Sequence, residues 1–189
     1  MAERVRFLYD VGSPYAWLAA ERVGDVLARP PEWVPVLLGG IFRATGGGSW
    51  AETAARAAGI AEIERRARQR GLPPLLWPAT WPNDGLRAMR AATAAHRLGA
   101  GEAFALEAMR LQFTEGRALS EPGAIAEAAE RAGLDAAALL AATDDPEVKG
   151  ELRATTDRAV ALGVRGVPTF VAGERVVWGD DRLDELRGA

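Results

Sequence analysis

Val5-Arg6-Phe7-Leu8-Tyr9-Asp10-Val11-Gly12-Ser13-Pro14-Tyr15 decides how the rest of the chain is read. Its first half is a short β-branched and aromatic run; Gly12-Ser13-Pro14 ends it, and Tyr15 to Ala28 then reads as helix until Arg29-Pro30-Pro31 stops the pattern. Trp33 to Leu38 is a second strand segment, closed by Gly39-Gly40. Pro35, which has no N–H to give a ladder, argues that this strand is short or lies at a sheet edge. The chain therefore opens β-α-β, and in a parallel pair that crossover is right-handed.

Outward from this unit, residues 49 to 162 change character. Ala, Arg, Glu and Leu recur at helical spacing, punctuated by Gly and Pro at 71–82, 99–101, 116, 122–123 and 133, which predicts five or six helices. The firmest of these runs from Pro146 to Leu162: Asp144-Asp145 precede it as caps, Pro146 fits the first helical position, and Gly163 lies past its end. Thr169-Phe170-Val171 and Arg175-Val176-Val177-Trp178 then flank Ala172-Gly173-Glu174 as a hairpin, and Asp180-Asp181 cap a short final helix to about Arg187. With no flexible linker in sight, the helical block is expected to pack on the sheet. The predicted architecture is α/β with a large all-helical insertion: residues 1–48 and 156–189 form the sheet domain, and 49–155 the insertion.

Composition narrows the function. The 189 residues fit one domain carrying an insertion. There is no cysteine, which removes disulfides, Cys-ligated metals, cysteine nucleophiles and thiol–disulfide exchange by the chain's own side chains. One histidine, His96, makes no metal site, so no metal is expected. Acidic residues number 26 against 23 dispersed basic ones, a net charge of −3, so neither nucleic acid nor an anionic membrane is an expected partner. No apolar run approaches a membrane span, and the three apolar residues after Arg6 are too few for a signal peptide; a cytoplasmic location follows as the expectation.

Three segments bear chemistry. Ser13 stands at the N-cap and Pro14 at the first helical position, so the Ser13 hydroxyl and the open N–H groups sit at the positive end of a helix, a place that favours an anion such as a thiolate brought by a small molecule. The same pattern also starts helices with no catalytic role. In Gly166-Val167-Pro168-Thr169, a cis Val167–Pro168 bond would leave the Val167 backbone free to pair with an extended, peptide-like ligand. In Trp178-Gly179-Asp180-Asp181-Arg182, the carboxylates either cap the helix or hold the ammonium of an amino-acid ligand. Trp77 and Trp81, in the Trp77-Pro78-Ala79-Thr80-Trp81-Pro82 loop, form either a core plug or the apolar wall of an aromatic pocket. Gly46-Gly47-Gly48 is no phosphate loop, since no Gly-Lys-Ser/Thr follows.

The order of these motifs, Ser-Pro-Tyr, then Gly-Val-Pro-Thr after a long helix, then Trp-Gly-Asp-Asp-Arg-Leu after the hairpin, resembles the thioredoxin-fold family of 2-hydroxychromene-2-carboxylate isomerases and kappa-class glutathione transferases, relatives of the DsbA-type oxidoreductases. The resemblance runs from Phe7 to Leu186. It implies a thioredoxin-like fold of DsbA/kappa type, glutathione as the source of the reactive sulfur, and Ser13 in place of the redox cysteine. It also implies that Val167 beside cis-Pro168 pairs with the cysteinyl part of glutathione and that Asp180 and Asp181 hold its γ-glutamyl end. Arg43, in Leu38-Gly39-Gly40-Ile41-Phe42-Arg43, stands where the family often has a basic residue; Gly47 departs from the asparagine often found just beyond. The substrate side is assigned to Tyr15, Trp77, Trp81 and Asn83. The implied activity is a glutathione-dependent cis–trans isomerisation of an aromatic unsaturated oxo acid from aromatic-compound catabolism, with a homodimer as the implied assembly. A kappa-like transferase or peroxidase would share the same cofactor site, and a non-catalytic thioredoxin-fold peptide-binding protein is the alternative of another class.

Overall fold

The computed structural model describes residues 4–188. The opening segment forms β1 (Arg6–Tyr9), then α1 (Pro14–Ala20) and a short α2 (Val23–Val26), and returns as β2 (Glu32–Pro35), paired parallel to β1 with Phe7 opposite Trp33. The single helix expected from Tyr15 to Ala28 is thus broken. Val23, Gly24, Asp25 and Val26 are all poor helix formers. The Glu21 carboxylate, at the end of α1, is held in a fork by Arg110 at 2.8 and 2.9 Å. After the insertion come β3 (Thr169–Ala172) and β4 (Arg175–Trp178), which complete a sheet of order β2-β1-β3-β4; β3 runs antiparallel to both neighbours. Pro35 does lie on an edge strand, and the hairpin turns at Gly173-Glu174, where Gly173 takes φ +58°.

The central strand β1 is buried on both sides. Phe7 stacks on Phe170 at 5.1 Å and meets Trp33 edge-on at 4.8 Å; all three rings are 4% exposed or less, as aromatic pairs that close a core tend to be. Helix α3 (Leu38–Thr45) packs on α9 (Pro146–Ala161), which lies against β2. Between them in sequence lie α4 (Arg56–Gln69), α5 (Leu86–Arg97), α6 (Gly101–Thr114), α7 (Pro122–Arg131) and α8 (Ala136–Ala142). Of these helices, α4 and α6 pack against α1, and α5 against β2 and α9. Residue 156, the expected domain boundary, lies inside the continuous α9, whose Thr155 and Thr156 hydrogen-bond the chain at Pro35 and Leu37.

Two local expectations are corrected. Gly39-Gly40 does not close a strand into a loop: Leu38 to Arg43 belongs to α3. The helix begins there because its first amides are capped from afar, Leu37 N–H donating to Thr156 Oγ1 at 2.9 Å and Leu38 N–H to Asp10 Oδ2 at 2.8 Å. Gly40 suits the spot, since a Cβ there would sit 3.1 Å from Thr156 Cγ2. The final helix is a 3-10 segment, Asp180–Leu186, that no side chain caps. Asp145, by contrast, caps α9 as expected, accepting from Glu147 N–H at 2.8 Å. No helix among the described residues is long and apolar enough to cross a membrane.

Candidate functional site

A cavity of about 1080 Å³ opens where the ends of β1 and β3 meet the insertion. Ser13, Tyr15, Arg43, Trp81, Asn83, Val167, Pro168 and Asp181 line it together, although they come from five separate stretches of chain. Trp77 and Asp180 do not.

Ser13 is the N-cap of α1, 4% exposed, with Oγ accepting from Ala16 N–H at 3.2 Å. That uses one acceptor lone pair and leaves the hydroxyl proton to donate into the cavity. Pro14 follows at the first helical position, and Ser13 N–H donates to Asp10 O at 3.0 Å, which fixes the turn. Across the cavity the Val167–Pro168 peptide is cis, as expected. Thr169 Oγ1 donates to Gly166 O at 2.7 Å and Gly179 N–H to Pro168 O at 3.0 Å, so both neighbours of Val167 are tied down. The Val167 N–H and C=O enter no hydrogen bond among the described residues. A buried backbone edge of this kind is costly to leave unpaired, and it fits an extended ligand laid alongside.

Asp180 departs from expectation. Gly179 takes φ +114°, and the following carboxylate turns inward, 1% exposed, to meet Arg66 Nη1 at 2.7 Å and Arg70 Nη1 at 2.6 Å. Turned toward Arg66 of α4 and Arg70 just past its end, Asp180 does not cap the last helix and does not line the cavity. Asp181 is the accessible one: its side chain is 59% exposed on the cavity, at the outer limit of an ion pair with Arg66 at 3.9 Å.

The aromatic wall is longer than the sequence suggested. Tyr15 meets Trp50 at 6.1 Å, Trp50 meets Trp81 at 5.6 Å, and Trp81 meets Trp77 at 4.6 Å. Trp77 backs this wall without reaching the cavity, touching Phe113 at 5.8 Å and donating its indole N–H to Glu64 at 3.0 Å. Trp77 is thus part of the packing and Trp81 of the pocket, which divides the two readings between them. Trp50 went unrecognised in the sequence, as did Arg66, whose guanidinium lies 5.6 Å over the Tyr15 ring. Trp178, half exposed, lines the opposite side over Gly166, where a Cβ would come 2.9 Å from the indole nitrogen. The only sequence hint of Arg66 is its spacing: Glu62 and Arg66 share one face of α4, and Arg70, just past its last residue, continues the four-residue step.

Polar groups complete the cavity. Asn83 donates to Gln112 Oε1 at 3.2 Å, and the fully buried Gln112 donates onward to Val11 O at 3.3 Å, so Asn83 is anchored to the end of β1. Arg43 and Arg165 are exposed cations on the rim that make no hydrogen bond or ion pair among the described residues. Gly47 also lines the cavity; a Cβ there would press to 3.2 Å from Phe42 Cδ1. Burial raises the Tyr15 hydroxyl above its ordinary pKa, against the opposing pull of Arg66, so it remains a neutral donor. At the floor lies Asp10, 6% exposed, whose carboxyl burial pushes up to about 6 against the pull of the Leu38 and Gly12 N–H groups. His96 sits half-buried at the end of α5, away from all of this. Among the described residues no group of three or more His, Cys, Asp or Glu is placed to hold a metal ion.

Comparison with known proteins gives a consistent picture. The family model described as a DSBA-like thioredoxin domain matches residues 4–189. The chain is 29% identical to 2-hydroxychromene-2-carboxylate isomerase of Sphingobium xenophagum, over 98% of this chain and 97% of that one. It is 28% identical to glutathione S-transferase kappa 1 of Homo sapiens, over 96% of this chain and 88% of that one. A solved structure of 2-hydroxychromene-2-carboxylate isomerase superposes with a TM-score of 0.86, covering 97% of this chain and 92% of that one at 24% identity, which shows the shared fold.

Proposed function

This chain belongs to the DsbA-like thioredoxin family and is related to isomerase and glutathione transferase enzymes, and from that premise we propose that it is a glutathione-dependent cis–trans isomerase of an aromatic, unsaturated oxo acid. The observation that carries the reading is the juxtaposition of Ser13 at the N-terminus of α1 with the unpaired Val167 backbone across one cavity. One offers charge stabilisation to a thiolate and the other pairing to the peptide that bears it. With no cysteine in the chain, the sulfur must come from the ligand.

The residues present fit glutathione along its length. Val167 would pair with the cysteinyl unit through its N–H and C=O, Asp181 would take the γ-glutamyl ammonium, and Arg43 would meet the glycyl carboxylate. Glutathione held there would supply a thiolate nucleophile for reversible addition to the conjugated C=C, the chemistry that would let that bond rotate with no net consumption of glutathione. Ser13 O–H and the Tyr15 N–H, the one amide in the first turn of α1 left without a partner among the described residues once Ala16 and Trp17 bond to Ser13, favour negative charge on the sulfur without reorganising, as preorganised dipoles do. Tyr15, Trp50 and Trp81 would pack the aromatic ring, and Asn83, held by Gln112, would present a fixed polar group to the oxo acid.

The reading is tested by following an aromatic unsaturated oxo acid with and without glutathione. Isomerisation that requires glutathione yet leaves its concentration unchanged is the expected result. Stoichiometric consumption of glutathione would move the assignment to the transferase chemistry of the kappa relative. No turnover, together with no rise in unfolding free energy at saturating glutathione, would defeat both; a site filled at a hundred times its Kd adds about 2.7 kcal/mol.

A further inference from the structure

Asp10 is a nearly buried carboxylate that the proposed chemistry leaves unused. Its two oxygens reach two different parts of the cavity: Oδ1 accepts from Gly12 N–H at 2.8 Å, in the turn that presents Ser13, and Oδ2 accepts from Leu38 N–H at 2.8 Å, the first residue of α3. Its own carbonyl receives Ser13 N–H at 3.0 Å. A Cβ on Gly12 would come 3.2 Å from Oδ1, so the glycine there lets the turn close on the carboxylate. Neither Leu37 nor any other residue of its own helix caps α3.

We propose that Asp10 is a positioning residue: its carboxylate braces the Ser13 turn against the start of α3 and so fixes the spacing between the sulfur-binding end of the cavity and the wall that carries Arg43. This rests on the glutathione reading of the cavity, because the spacing matters only to a ligand that spans it.

A brace of two N–H donors requires two acceptor oxygens. A protonated carboxyl turns one oxygen into a donor, which then opposes an N–H, so one of the two ties is lost. Burial brings that event up to about pH 6. The other ionisable groups on the elements around Asp10 are Arg6 and Tyr9 on β1, Tyr15 on α1, Arg43 on α3, Asp84 before α5, and Arg87, Arg90, His96 and Arg97 on α5; burial and the two N–H donors are what set its titration. Tyr9, raised by burial and by the Asp10 charge, stays protonated throughout this range. A glutathione thiol ionised in the site would titrate on its own account, so the probe is S-methylglutathione, which has no thiol and whose carboxyls titrate below pH 5.

The test measures S-methylglutathione affinity by equilibrium dialysis between pH 5 and 7 for the natural chain and Asp10→Asn, together with the amide proton shifts of Gly12 and Leu38 in the natural chain. The expected result is a Kd that weakens about tenfold from pH 7 to pH 5 in the natural chain, and a Kd that is about tenfold weaker at pH 7 and flat with pH in Asp10→Asn, the scale of one charge-assisted hydrogen bond. The Gly12 and Leu38 amides should shift together with one midpoint near 6. Equal affinities, or an acid limb retained in Asp10→Asn, would overturn the proposal. So would amides that do not titrate together, a result that stands even if the variant fails to fold. If the natural chain binds neither S-methylglutathione nor glutathione at any pH, the reading of the cavity fails by itself, and the amide titration still decides whether the brace exists.

Discussion

Asp180 Oδ1 lies 2.7 Å from Arg66 Nη1, joining the last turn of the chain to a helix of the insertion 114 residues earlier. Arg70 closes on the other oxygen at 2.6 Å, so a carboxylate that is 1% exposed is matched by two guanidinium groups about one-fifth exposed. Neighbouring Asp181 points the other way, into the cavity. Two adjacent acids in one sequence motif therefore have separate work.

Substitutions should separate them. Asp180→Ala removes the carboxylate from two largely buried guanidinium groups, of which Arg66 keeps Glu62, and should cost about 3 kcal/mol in denaturant unfolding, the scale of breaking a buried pair by removing one partner. Asp181→Ala, on a side chain 59% exposed, should cost under about 0.5 kcal/mol yet weaken glutathione binding several-fold. The reverse pattern, with Asp181 carrying stability and Asp180 affinity, would show that the two assignments are exchanged.

Gly59 offers a test of the aromatic wall. On helix propensity alone, Gly→Ala within α4 should stabilise by up to about 1 kcal/mol. Here a Cβ would stand 2.2 Å from Cε3 and Cζ3 of Trp50, which cannot be absorbed without moving the indole. Gly59→Ala should therefore lower stability by about 1–3 kcal/mol, as overpacking does, and shift the Trp50 ring relative to Tyr15 and Trp81. The readouts are the unfolding midpoint and KM for the aromatic substrate, which should rise while glutathione Kd stays put. A stabilised variant with unchanged KM would mean that Trp50 is not part of a fixed wall.

Ser13→Ala separates capping from catalysis. Loss of the Oγ acceptor to Ala16 should cost about 1 kcal/mol of stability. Loss of a hydroxyl donor to a thiolate should raise the pKa of the bound thiol by about 1–2 units, read from the ultraviolet thiolate absorbance against pH, because hydrogen bonds to charged groups are worth about that much. Ser13→Thr keeps both the cap and the donor and should recover most of each loss. If the thiol titrates at the same pH in Ser13→Ala, the α1 terminus alone holds the charge.

What the sequence reveals and what it hides follows from how far each interaction reaches along the chain. β1, the Ser13-Pro14 helix start, the Asp145 cap and the Gly173-Glu174 hairpin are set by neighbours within a few residues, and their residue types announce them. Helix α3 has no local cap; its start is made by Asp10, 28 residues before Leu38, and Thr156, 119 residues after Leu37, so Gly39-Gly40 reads as a break when it is an interior turn. Asp180 reads as a cap for the same reason: the cap pattern is local, whereas Arg66 and Arg70 are supplied by another part of the fold. Trp50 carries no motif at all and becomes part of the cavity only because Gly59 lets it lie flat on α4.

The brace at Asp10 also has a stability signature with a definite sign. Its carboxyl, raised to about 6 in the fold, returns to about 3.9 when the chain unfolds. Between those values the folded state holds a proton that the unfolded state has released, so stability contributed by this group is full below pH 4 and falls as pH rises to about 6, then stays level. Two units correspond to about 3 kcal/mol, and because the group is only 6% exposed, little is lost to solvent screening. Carboxylates such as Asp184, held low by Arg22 and Arg187, push the other way in the same acid range, so the natural chain's own profile mixes both signs. The difference in unfolding free energy between the natural chain and Asp10→Asn removes that background and should fall by about 3 kcal/mol from pH 4 to pH 6.5. A flat difference would mean that Asp10 ionises in the fold as it does in the unfolded chain. A difference that grows with pH would mean that the Gly12 and Leu38 N–H groups outweigh burial and hold the carboxyl below its ordinary value.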